Sequence, residues 1–297
     1  MPHFSCFFRV RLRARTIAAV HFLCLLLCSC AHAQPAHAPA VSPLPESQST
    51  RVTMESEAFG STVPFIVWLP RGYGSGKRYP VWYGLHGYSS TETMWLDAGM
   101  GSAADDLITQ GKLPPIIMVF PWTRYDSAKA IELDMADGVR GESGMERFLC
   151  DELIPYIDAH YATLAAPESR SIGGFSMGGM FALQIGLRHP DLFGKAAGYS
   201  PALVYSDFTG DTFEKWLSFA PVDPEGDLSG YAASRGLDQI GIYLDCGGES
   251  DPFAKGTASL YNALLTRGIQ AQFHPHEGGH SLRPDFLEQF LLFYGRV

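Results

Sequence analysis

The stretch "SRSIGGFSMGGMFAL", Ser169 to Leu183, decides how this chain is read. An apolar run leads into Ser176, glycines stand at 173, 174, 178 and 179, and a helical-looking run follows. Within it, "GFSMG" matches G-x-S-x-G. Between a strand and a helix, that pattern makes a tight turn that lifts a serine hydroxyl clear of the sheet edge. The glycines have a mechanical role. The serine takes a strained backbone conformation, and side chains beside it would collide with the adjacent strand and helix. The turn also aims the helix N-terminus, with its free N–H groups, at the atom the hydroxyl attacks.

Working outward, apolar runs alternate with helical patterns. Strands are expected in "TVPFIVWLP" from Thr62, "YPVWYGLHG" from Tyr79, "LPPIIMVFP" from Leu113, "SRSIGGF", "GKAAGYSP" from Gly194, "IGIYLDCGG" from Ile240 and "QAQFHPH" from Gln270. Helices are expected in "ERFLCDELIPYIDAHY" from Glu146, "GMFALQIGLRHP" from Gly179, "ASLYNALLTRG" from Ala258 and "RPDFLEQFLLFYG" from Arg283. Continuous apolar strands alternating with helices predict an α/β fold, a mostly parallel sheet covered on both faces. Residues 202–238 interrupt the rhythm with a long insertion carrying Phe208, Phe213, Trp216 and Phe219. Long aromatic insertions of this kind cover sites as lids, or simply pack on the core.

A serine hydroxyl is a poor nucleophile at its own pKa and needs a base. Downstream of Ser176 stand His189, His274, His276 and His280. His189 is expected to cap the helix that follows Ser176. His280 follows two glycines, in a loop between the last strand and the last helix, and is the chosen base, with His276 the second candidate. The acid should follow the strand "IGIYLDCGG". Asp251 lies past a glycine turn, above that strand's C-terminal end, where sites gather in open α/β sheets. Glu249 and Asp245 are the alternatives. An oxyanion would need two backbone donors: the N–H of Met177 and, from "LHGYSS" at residues 85–90, the N–H of Tyr88. Three imidazoles within "HPHEGGH" raise a metal reading, but no partner from another element is evident, and neither metal nor cofactor is expected.

The ends and the charge bound the rest. Arg9, Arg11, Arg13 and Arg15 precede the apolar "TIAAVHFLCLLLC" and the small-residue "SCAHAQPAHAPA". This is the order of a secretory signal peptide over residues 1–33, and the apolar run falls short of the roughly 20 residues that span a bilayer. A cut before Gln34 would free the protein. The alternative box "LCSC" would leave Cys30 as a lipidated first residue and anchor it. Residues 34–49 read as a Pro- and Ala-rich disordered tether, and 50–297 as one catalytic domain. Without the signal, 18 basic residues face 31 acidic ones, a formal charge of −13. Such a surface repels phosphate backbones and disfavours nucleic acid as a partner. Cys150 and Cys246 remain, either as buried thiols or as a pair formed in an oxidising compartment.

Taken together, "VWLPRGYGSGKRYPVWYGLHG", "ELIPYIDAHYAT", "SRSIGGFSMGGMFALQIGLRHPDLFGKAAGYSP", "DCGGESD" and "GGHS" resemble the esterase family of α/β hydrolases that includes esterase D-like, feruloyl and enterochelin esterases and mycolyltransferases. The resemblance implies an α/β-hydrolase fold, a Ser176–Asp251–His280 triad, no metal, and an acyl-enzyme. The expected activity is that of an exported serine carboxylesterase on a small to medium ester. The alternative is acyl transfer to a sugar or lipid alcohol. In one respect the sequence departs from the pattern. Relatives often carry an aromatic residue soon after "GGHS", where this chain has Leu282 and Arg283.

Overall fold

The computed structural model describes residues 43–123, 125, 143–203 and 236–295. The expected signal peptide, Cys30 and nearly all of the insertion at 202–238 lie outside the described residues. Eight strands form one sheet in the order β1-β2-β4-β3-β5-β6-β7-β8. β1 (Gln48–Ser56) and β2 (Ser61–Leu69) pair antiparallel, and β2 runs antiparallel to β4 (Ile117–Pro121). From β4 onward the sheet is parallel, through β3 (Val81–Leu85), β5 (Arg170–Phe175), β6 (Lys195–Tyr199), β7 (Gly241–Cys246) and β8 (Gln272–Pro275).

The parallel strands are apolar throughout because both faces are covered. In β3, Val81, Tyr83 and Leu85 point to one layer and Trp82 to the other. The first layer is built from α3 (Gly144–Arg147), a π-helical turn (Phe148–Leu153), α4 (Ile154–His160), α5 (Met177–Arg188) and α6 (Ala254–Thr266). The second comes from α1 (Met94–Asp97), α2 (Met100–Thr109) and α7 (Leu287–Gly295). There Trp82 is fully buried and stacks on Tyr294 with ring centroids 4.9 Å apart. Truncating such a ring to alanine costs about 3–5 kcal/mol. Ser143 starts α3 by accepting the Glu146 N–H at 3.1 Å, the contact that favours serine at a helix N-cap.

This is the mostly parallel α/β sheet expected from the alternation, and the α/β-hydrolase fold that the resemblance implied, with two differences. β1 begins inside the stretch read as a tether, and Leu44 donates its N–H to the Tyr73 carbonyl at 2.8 Å. The ordered domain therefore starts before residue 50. β1 is an edge strand that carries mostly exposed polar residues, so no apolar alternation marks it. α1 and α2 also went unread, and α2 buries only Met100, Ala104 and Leu107. Cys150 and Cys246 are not joined in a disulfide.

The topology places one edge of the sheet at the service of chemistry. Leu85 pairs with Gly174, Phe175 with Tyr199, Tyr199 with Asp245, and Asp245 with His274. The segments that leave these strands at their C-terminal ends, after residues 85, 175, 199, 246 and 275, emerge side by side.

Candidate active site

Ser176 leaves β5 in a backbone conformation that few L-residues adopt, φ 56 and ψ −117. Residues held so far from the populated regions cost about 1–3 kcal/mol each. Packing and hydrogen bonds enforce it. The Ser176 N–H donates to the Tyr199 carbonyl at 3.0 Å, and its carbonyl accepts from Ala202 at 2.9 Å and Met180 at 3.0 Å. The two glycines of the motif are required by close approach. A Cβ on Gly174 would stand 2.3 Å from the Gly178 carbonyl carbon, and one on Gly178 would stand 2.5 Å from the Leu85 and His86 carbonyl oxygens. The Ser176 side chain heads α5 without capping it and stays free to bond elsewhere.

It bonds to His280. The Ser176 Oγ lies 2.8 Å from His280 Nε2, and His280 Nδ1 lies 3.3 Å from Asp251 Oδ1. Phe175 stacks on the imidazole with centroids 5.1 Å apart, and Phe253 meets it edge-on at 4.9 Å. These rings fix the plane of the imidazole. The structure thus brings Ser176, His280 and Asp251 into contact from the ends of β5, β8 and β7.

Asp251 is buried, and burial alone would push its carboxyl up. The Ser200 hydroxyl, the Phe253 N–H at 3.0 Å, the Gly247 N–H at 3.0 Å and the adjacent His280 outweigh that and hold it below the usual range. A carboxylate that accepts several hydrogen bonds stays ionised. Asp245 behaves oppositely. Burial, with Asp251 nearby, pushes it up to about 7, although it accepts the Ser200 N–H at 2.8 Å. Glu249 is exposed.

The other histidines have different partners. His189 is the C-cap of α5, as expected, with its N–H on the Ile185 carbonyl at 3.0 Å, and its Nε2 also meets Glu146 Oε1 at 2.7 Å, which joins the end of α5 to α3. His274 stacks on Tyr243, and His276 Nδ1 faces the Glu277 carbonyl at 2.9 Å. Among the described residues, no three His, Cys, Asp or Glu side chains gather as metal ligands would.

Of the expected backbone donors, Met177 follows Ser176 directly and Tyr88 follows Gly87 in the loop after β3. Met177 opens α5. Gly87 lies against Ser176, since a Cβ there would stand 3.4 Å from the Ser176 Cβ. His86 holds this loop. Its Nε2 accepts the Thr123 N–H at 3.0 Å, so the proton sits on Nδ1 and is donated to the Gly87 carbonyl at 2.8 Å. Burial lowers the His86 pKa and keeps the ring neutral for both bonds. A planar trans peptide points its N–H opposite its carbonyl, so this bond fixes the direction of the Tyr88 N–H. Sequence reasoning passed over His86 and Ser200. The dipeptide "HG" after an apolar strand was the available signal for the first. For the second there was none, because its role depends on a positive φ and on strand neighbours.

Fold and site define a serine-hydrolase-type α/β protein. Residues 56–292 match the family described as "Putative esterase", and the chain belongs to that family. The "endo-1,4-beta-xylanase/feruloyl esterase" of Xylanibacter ruminicola is 40% identical over 153 residues, covering 48% of this chain and 20% of that protein. "Esterase Rv1288" of Mycobacterium tuberculosis is 28% identical over 259 residues, covering 78% of this chain and 55% of that protein. The chain therefore spans about half the length, or less, of these curated relatives. Among solved structures, a ferulic acid esterase superposes with a TM-score of 0.68 at 25% identity, covering 84% of this chain and 98% of that one. The enterobactin esterase FES of Shigella flexneri has a TM-score of 0.62 at 17% identity, covering 85% and 60%, and shares the fold.

Proposed function

We propose that this chain is an exported serine carboxylesterase. The observation that carries the reading is the unbroken chain of contacts from the Ser176 hydroxyl through the His280 ring to the Asp251 carboxylate. In the proposed reaction, His280 Nε2 takes the Ser176 proton as Oγ attacks the ester carbonyl carbon. The Met177 and Tyr88 N–H groups receive the charge that develops on the carbonyl oxygen. His280 then returns the proton to the leaving alcohol, and the ester C–O bond breaks to give an acyl-enzyme. Water, deprotonated by the same ring, releases the acid and restores Ser176. Asp251 holds Nδ1 protonated and stabilises the imidazolium.

The names of the relatives favour an ester of ferulic acid or a similar aromatic acid as substrate, within the small to medium esters expected from the sequence. Export rests on the basic, apolar and small-residue order of residues 1–33. Mass spectrometry of the mature N-terminus would read a start at Gln34, a lipidated Cys30, or an uncut chain that refutes export. For the activity, Ser176→Ala should abolish turnover of p-nitrophenyl acetate while the fold is kept. Undiminished turnover in the folded variant would refute the reading.

A further inference from the structure

A second strained serine lies beside the first. Among the described residues only Ser89, Ser176 and Ser200 are non-glycine residues with positive φ, and Ser200 has φ 45. It follows β6, is 1% exposed, and precedes Pro201, which disfavours the ordinary helical conformation for the residue before it. The backbone here is clamped to two places. The Ser200 N–H reaches Asp245 Oδ1 at 2.8 Å and the Asp245 carbonyl at 3.2 Å. On either side of Ser200, the Tyr199 carbonyl and the Ala202 N–H bond the backbone of Ser176 itself. The two strained turns therefore form one unit.

The hydroxyl lies where this clamp directs it. Ser200 Oγ bonds Asp251 Oδ2 and stands 3.3 Å from His280 Nδ1, the distance that also separates Nδ1 from Asp251 Oδ1. The protons can be assigned. An ionised carboxylate only accepts, so the Ser200 proton goes to Asp251. Its oxygen then offers only lone pairs to the ring. Nδ1 must carry the proton and share it between Ser200 and Asp251, which leaves Nε2 unprotonated towards Ser176. That is the tautomer a base needs.

We propose that Ser200 is a positioning residue of the catalytic centre, fixing the His280 tautomer and the Asp251 carboxylate through its hydroxyl. The inference rests on the reading of Ser176, His280 and Asp251 as catalytic. Glycine accepts φ 45 without strain, so Ser200→Gly removes the hydroxyl and leaves the turn at ease. Ser200→Ala removes the hydroxyl and keeps the strain. Both variants should melt as cooperatively as the wild type. In both, kcat on p-nitrophenyl acetate should fall roughly ten- to a hundredfold, the effect of one hydrogen bond to a charged group. KM should stay near its wild-type value, and labelling by a fluorophosphonate should slow by the same factor. A merely structural role would lower the melting temperature and leave kcat per folded molecule alone. Wild-type kcat in folded Ser200→Gly, beside an inactive Ser176→Ala, would overturn this inference and spare the assignment of Ser176. Persisting turnover in Ser176→Ala would overturn both.

Discussion

Asp245 and Asp251 stand six residues apart, both buried, and burial pushes both carboxyls up. Only Asp245 yields, reaching about 7, while Asp251 ends below the usual range. The difference lies in the donors. Asp251 accepts from Ser200 Oγ, Gly247 N and Phe253 N and faces His280. Asp245 accepts the Ser200 N–H and has the Tyr243 hydroxyl and the Arg283 charge in its favour, but these do not offset its burial and the like charge of Asp251. The acid that stays ionised is the one able to stabilise an imidazolium. Depth alone does not choose it.

That contrast can be broken by substitution. Asp251→Asn should be the most damaging, lowering kcat about ten-thousandfold, since the amide invites the wrong histidine tautomer. Steady-state kinetics on the folded variant would measure it, and a loss smaller than that of Asp245→Asn would reverse the assignment. Asp245→Asn should act mainly on stability. Its folded pKa lies above the unfolded value, so the wild type is favoured below pH 4 and loses stability as pH rises to about 7. From the roughly 1.4 kcal/mol carried by each unit, the loss reaches at most ~4 kcal/mol. Denaturant melts of both proteins from pH 4 to 8 should show the variant gaining on the wild type across that window. Asp251 has the opposite sign. It contributes stability above its unfolded pKa and gives it up as pH falls through the lower folded value. Glu249→Ala, at the exposed position between them, should leave kcat unchanged and stability within about 0.5 kcal/mol.

The same contrast marks what was legible in the sequence. Apolar alternation gave the parallel strands, because strands covered on both faces must be apolar throughout. β1 escaped because an exposed edge strand needs no such pattern, and its first residues, Gln48 and Ser49, fell within the stretch read as tether. G-x-S-x-G located Ser176, and loop position after β7 and β8 separated Asp251 and His280 from their neighbours. Ser200 and His86 could not be read this way. Ser200 acts through a left-handed backbone and through strand neighbours that exist only once β6 lies between β5 and β7. His86 acts through a bond to its own loop that requires Thr123 to approach from β4. Such contacts belong to the assembled sheet.

The convergence of three loops on one hydroxyl is tested most directly by covalent labelling. A fluorophosphonate probe, followed by peptide mass spectrometry, should place one adduct per chain on Ser176. His280→Ala should slow its formation by at least a hundredfold, the lower range of general-base effects. An adduct on another residue, or labelling of Ser176 at the same rate without His280, would contradict the central claim.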